Sequence, residues 1–119
     1  MKKKLIKFLL YSIGALVLIY GSIWLLSQFN EAFPTYFTVY TEDFNEDSFN
    51  KISIGDDRKL VESLIGKPLL ESTTNVNRDS IQIVYWYSKN KYYGFSYDLI
   101  YISFYDDKVS SIKRMVVMD

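Results

Sequence analysis

The sequence predicts an α+β protein: an N-terminal transmembrane helix followed by a small domain with short helical segments packed on a three-stranded antiparallel sheet. Three observations carry this. Phe8 to Leu26 (FLLYSIGALVLIYGSIWLL) holds no charge; a short apolar helical pattern ends in a Gly-x-Pro stop at residues 60–68; and three β-prone runs follow residue 80. The chain of 119 residues then divides into a basic flank (1–7), an anchor (8–26), a linker or extended lead-in (27–40) and an α+β domain (41–119).

The anchor comes first. At about 1.5 Å per residue, its uncharged run makes a helix of roughly 28 Å, close to the ~30 Å hydrocarbon core of a bilayer. A lone segment in lipid must satisfy its own backbone, so it is helical. Lys2, Lys3, Lys4 and Lys7 precede the run, whereas the first charge after it is Glu31. The positive-inside rule places the N-terminus in the cytoplasm and the remainder outside, as a single-pass protein of a cytoplasmic membrane. The competing reading is a cleaved signal peptide. Its apolar region would be shorter and would end at a small-x-small site, which SQFNEAFP does not supply.

Formal neutrality hides an asymmetry. With four of the 14 basic residues before the anchor, ten remain against all 14 acidic ones, so the outer part is acidic by about four charges. A nucleic-acid partner would want a basic face, and none is expected. The chain has no Cys and no His. That removes disulfides, lipid-modified cysteine, Cys/His zinc sites and His-based catalytic triads together. No cofactor is expected.

Past the anchor, Pro34 stops any helix continuing from the membrane. Residues 36–40 (YFTVY) are β-prone and read as a short edge strand or an extended lead-in. In the acidic stretch that follows, Asp43, Asn45 and Asp47 fit the first positions of a calcium-binding EF-hand loop. Ser48 and Ile54 stand where that loop needs Gly and Glu, so helix-capping side chains in a solvated turn are the better reading, and no metal site is assigned.

Residues 49–70 (FNKISIGDDRKLVESLIGKPLL) form the best-defined unit of the outer domain. Phe49 and Ile52 share a short helical turn, and Gly55 breaks the chain. Asp56 is expected to cap a helix whose apolar face is Leu60, Val61, Leu64 and Ile65. Gly66 is expected at a left-handed C-terminal position with positive φ, and Pro68 prevents continuation. A helix this short needs a partner, and the sheet supplies it. Ser80 to Ser88 alternates, with Ile81, Ile83, Tyr85 and Tyr87 on one face and Gln82, Val84 and Trp86 on the other. Leu99 to Tyr105 and Val109 to Val117 are the second and third strands. A three-residue turn, Asp106 to Lys108, would set Ile102 opposite Ile112.

At residues 49–70, KISIG, Val61 and LIGKPL resemble a recurring segment of the SmpA/OmlA (BamE-like) family of small bacterial envelope proteins. The YWY at 85–87 and the hairpin LIYISFYDDKVSSI resemble that family's later strands. The resemblance covers about Phe49 to Val117. It implies two short helices packed on a three-stranded antiparallel sheet; the family's best-known members are lipoproteins that support assembly of outer-membrane β-barrel proteins, so the implied role is support of the assembly or stability of an envelope complex. The chain departs from the family by lacking a lipidated cysteine and carrying its own membrane helix.

For function, the sequence points to a membrane-tethered extracytoplasmic module that binds a protein partner. Seven of the 11 tyrosines follow residue 80. The loop Lys89 to Asp98 sets Tyr92, Tyr93, Phe95 and Tyr97 around Gly94, and such rings suit a binding surface or, equally, the cover of a small core. An inhibitor or immunity-type protein with a single target is the alternative and would use the same loop. No phosphate loop, G-x-S-x-G or S-x-x-K pattern occurs, so no catalytic residues are assigned and an enzyme is not expected.

Overall fold

The computed structural model describes residues 2–118. Helix α1 runs from Lys2 to Ala32, extending past the uncharged run at both ends, and is long and apolar enough to cross a membrane. It ends where Pro34 requires: Phe33 has left helical geometry at φ −133°, and a 3-10 turn, Pro34–Phe37, follows. The residues read as a connector therefore begin as rather less than two further turns of the same helix.

Strand β1 (Thr38–Tyr40) is an edge strand, paired antiparallel with β4 (Ser88–Asn90) in a two-stranded sheet. Helix α2 (Glu46–Phe49) is capped by Asn45, whose Oδ1 accepts from the Ser48 amide at 3.1 Å. The acidic stretch thus spends Asn45 on a cap, as its composition suggests. Helix α3 (Arg58–Ile65) buries Val61 and Ile65 completely and half-buries Leu64. Leu60, expected on the same face, is exposed.

Two local features differ from what the sequence suggests. Asp56 does not cap α3. Residues 55–57 are held against the start of the last strand, by Gly55 N–H to Val109 O and Val109 N–H to Asp56 O, both 2.8 Å, and by a bridge between Asp57 and Lys108. That delays the helix, leaves Asp57 at the cap position, and turns the Asp56 carboxylate back onto the Ser53 amide. Gly66 does have positive φ, 78°, but its ψ of −169° lies in a region essentially closed to any side chain rather than in the left-handed helical well.

The main sheet has four strands in the order β2-β3-β5-β6, all antiparallel, not three. They are β2 (Leu70–Asn77), β3 (Ser80–Trp86), β5 (Ser96–Tyr105) and β6 (Lys108–Met118). The strand without a sequence counterpart is β2, LESTTNVN. As an edge strand with almost every residue exposed, it has no apolar alternation to betray it. The β5–β6 turn is also shorter than expected. Asp106 (φ 51°) and Asp107 (φ 62°) alone form it, as a two-residue turn of the mirror-image type. A bulge between Phe104↔Val109 and Ser103↔Ser111 then restores the expected Ile102↔Ile112 pair.

Both short helices lie on one face of the sheet. The core between them includes Phe49, Val61, Ile65, Tyr85, Ile102 and Phe104, with the Tyr85 and Phe104 rings edge to face at 4.8 Å. The molecule is 81 Å long and 32 × 18 Å across, so α1, roughly 46 Å by its rise per residue, projects away from the domain.

Candidate functional site

Three features concentrate unusual chemistry: the junction between α1 and the domain, an ion cluster behind the core, and the sheet face turned away from the helices.

The junction is fixed by Asn30, the buried residue of α1. Its Nδ2 donates to Ser96 O at 2.7 Å while its Oδ1 accepts from Ser96 N–H at 2.8 Å. The amide thus docks on the start of β5 as a neighbouring strand would. Around it, Phe29 meets Phe33 and Tyr36 at 5.2 and 5.4 Å, and Phe37 stacks on Phe95 at 5.0 Å. Phe37 also meets Tyr92 edge-on at 6.1 Å, and Lys91 Nζ lies 5.6 Å over the Tyr92 ring. The four loop aromatics expected to face a partner are therefore divided. Tyr97 is buried, Phe95 is half-buried against Phe37, Tyr92 leans on both Phe37 and Phe95, and Tyr93 stands fully open at 86% exposure. Gly94, with φ 88°, makes the turn between them.

The ion cluster was not legible in the sequence, because its members come from β1, α2, β5 and β6. Arg114 bridges two carboxylates: Nη1 donates to Glu46 Oε2 at 2.7 Å, and Nη2 to the buried Asp98 Oδ2 at 2.7 Å. Tyr40 O–H also donates to that Asp98 oxygen, at 2.8 Å. The hydrogen bonds it donates to Glu46 and Asp98 hold the Arg114 guanidinium above its ordinary pKa, and the bond from Arg114 holds Glu46 below the usual carboxylate range. A second pairing sits under α3, where Tyr85 O–H donates to Glu62 Oε1 at 2.6 Å. Burial, then that bond, pushes the Tyr85 hydroxyl up to about 12. No buried side-chain polar atom among the described residues lacks a hydrogen-bond partner, so these groups act as locks on the fold.

The outward sheet face carries a cross-strand row, Leu70–Trp86–Tyr101–Lys113, beside the pairs Leu99↔Met115 and Tyr97↔Val117. Neither short helix covers it. A hollow of about 440 Å³ opens there, lined by Leu69, Leu70, Trp86, Lys89, Tyr97 and Leu99. Trp86 was expected on this face, whereas Leu70 lies on the strand the sequence concealed. The structural positions read from sequence fall elsewhere: Gly55 and Asp56 pair with the start of β6, while Gly66 and Pro68 shape the passage from α3 into β2. Among the described residues no group of acidic side chains is arranged to hold a metal ion.

No protein-family model matches this chain, and no curated protein matches it either.

Proposed function

We propose that this protein is a membrane-tethered, extracytoplasmic interaction module. Helix α1 crosses a bacterial cytoplasmic membrane with the lysine-rich end inside, and the sheet domain stands outside. A helix that is apolar on every side, with no part of its apolar stretch covered by protein, has lipid as its natural surroundings. The lysines before the run and the acidic residues after it support this direction of insertion.

The observation that carries the binding role is the uncovered sheet face. Trp86, Leu99 and Tyr101 are half-buried there, and Leu70 and Met115 are exposed beside them. Contiguous exposed apolar surface marks an interaction site. The basic residues at its margin, Lys89 and Lys113, suit a protein partner that inserts an apolar side chain flanked by carboxylates. The glycine and proline spacing of residues 49–70 supports an envelope role, because the SmpA/OmlA-like proteins it resembles support assembly of envelope proteins. Inhibition of a single target is the second reading, favoured if one tight partner occupies the face.

A photo-crosslinking amino acid at position 86 or 99 tests this in native membranes. Adducts are expected at both positions and not at position 59 on α3, and Leu70→Lys is expected to abolish them while circular dichroism stays unchanged. Adducts insensitive to Leu70→Lys, or none at all, contradict the reading. An adduct at twice the 14.0 kDa chain mass replaces the foreign partner by a second copy.

A further inference from the structure

We propose that the junction between α1 and the domain is a rigid interfacial seat, in which the aromatic cluster around Phe37 rests in the headgroup layer of the bilayer and fixes the domain's orientation. The proposal rests on the reading that α1 spans the membrane. Phe29 lies three residues beyond Leu26 on one unbroken helix, about 4.5 Å further along its axis. Its ring, which meets Tyr36 and Phe37, therefore sits within about one helical turn of the hydrocarbon edge.

The tyrosines at this level have the amphipathic character that interfaces select. Tyr36 and Tyr93 are exposed at 66% and 86%, which leaves ring and hydroxyl open to a headgroup layer. Lys91, over the Tyr92 ring, sets an ammonium where lipid phosphates lie. Met118, paired with Ser96 at the same end of the sheet, is exposed as well.

What makes the seat rigid is Asn30. A flexible tether needs no buried amide, yet this one is 4% exposed and uses both of its polar atoms on the backbone of Ser96. Thr38 continues the clamp, accepting from the Asp98 amide at 2.8 Å and donating to Pro34 O at 2.9 Å. Helix, 3-10 turn and β5 therefore move as one body, and any tilt of α1 is passed to the sheet.

The absence of native cysteine makes the test direct. The full chain, with a single fluorescent label at Y93C, I19C or D107C, is reconstituted in phosphatidylcholine vesicles containing lipids spin-labelled at shallow or deep acyl positions. Shallow lipids are expected to quench Y93C several-fold more than D107C, and deep lipids to quench I19C. Adding N30A is expected to lower Y93C quenching while I19C is unchanged, with near-ultraviolet circular dichroism reporting that the domain stays folded. An unquenched I19C overturns the spanning reading itself. A quenched I19C with Y93C no different from D107C leaves the helix in place and overturns the seat, returning Tyr92 and Tyr93 to the pool of protein-binding residues. Full Y93C quenching in a folded N30A chain overturns the clamp.

Discussion

A side chain at Gly66 would meet two obstacles at once. The backbone there occupies a region open essentially to glycine, and an added Cβ would lie 2.7 Å from Asp43 Cβ. Gly66→Ala is expected to cost about 2–4 kcal/mol, as backbone strain adds to displacement of the residue 43 backbone. Thermal unfolding of the chain in detergent checks this, and Asp43→Gly in the same chain should recover only the contact part. Arg114 is the other residue on which much depends. Arg114→Met leaves Asp98 buried and uncompensated, so a loss of about 3–5 kcal/mol is expected. The pH dependence follows from the same cluster. Glu46 is held below its ordinary range, so its contribution is complete above about pH 4.5 and fades as pH falls through the lower folded value. Tyr85 has the opposite sign: its folded pKa of about 12 exceeds the unfolded value near 10, so stability falls as pH rises between them. Tyr85→Phe should flatten that alkaline slope in a denaturation series.

At the scale of elements, the β5–β6 hairpin joins two independent choices. A turn of Asp106 and Asp107, both at positive φ, matches the twist of the strands, and the bulge at Ser110 absorbs the extra residue. Asp107→Val should cost about 1–2 kcal/mol, because a β-branched residue resists that backbone and the Arg58 pairing at 3.1 Å is lost with it. A melting temperature equal to the parent's would place the strain elsewhere. The same hairpin marks what sequence reading reaches. Apolar alternation in Ile83, Tyr85, Ile102 and Phe104 gave the strands and core, and Ile102 opposite Ile112 was legible because both must point inward. Strand β2 was not, since an exposed polar edge has no periodic constraint on its side chains. The α3 start was misplaced because its boundary is set by pairing with β6, some fifty residues away, rather than by local capping. For the candidate sites, the loop aromatics were visible as a composition peak, but only the fold could bury Tyr97 and leave Tyr93 exposed.

For the whole molecule, the shape itself constrains the role. An apolar helix projects from one end of a domain whose apolar sheet face stands clear of both short helices, and Asn30 joins the two without slack. The proposed role sets lipid against the one surface and a protein partner against the other. The claim beneath it, that α1 spans the membrane with the domain outside, is tested most directly by labelling single cysteines in intact cells with a membrane-impermeant maleimide. Asp107→Cys should label fully before lysis, and Lys4→Cys only after the membrane is permeabilised. Labelling in the reverse order, or a mature chain that begins near residue 28, would contradict it.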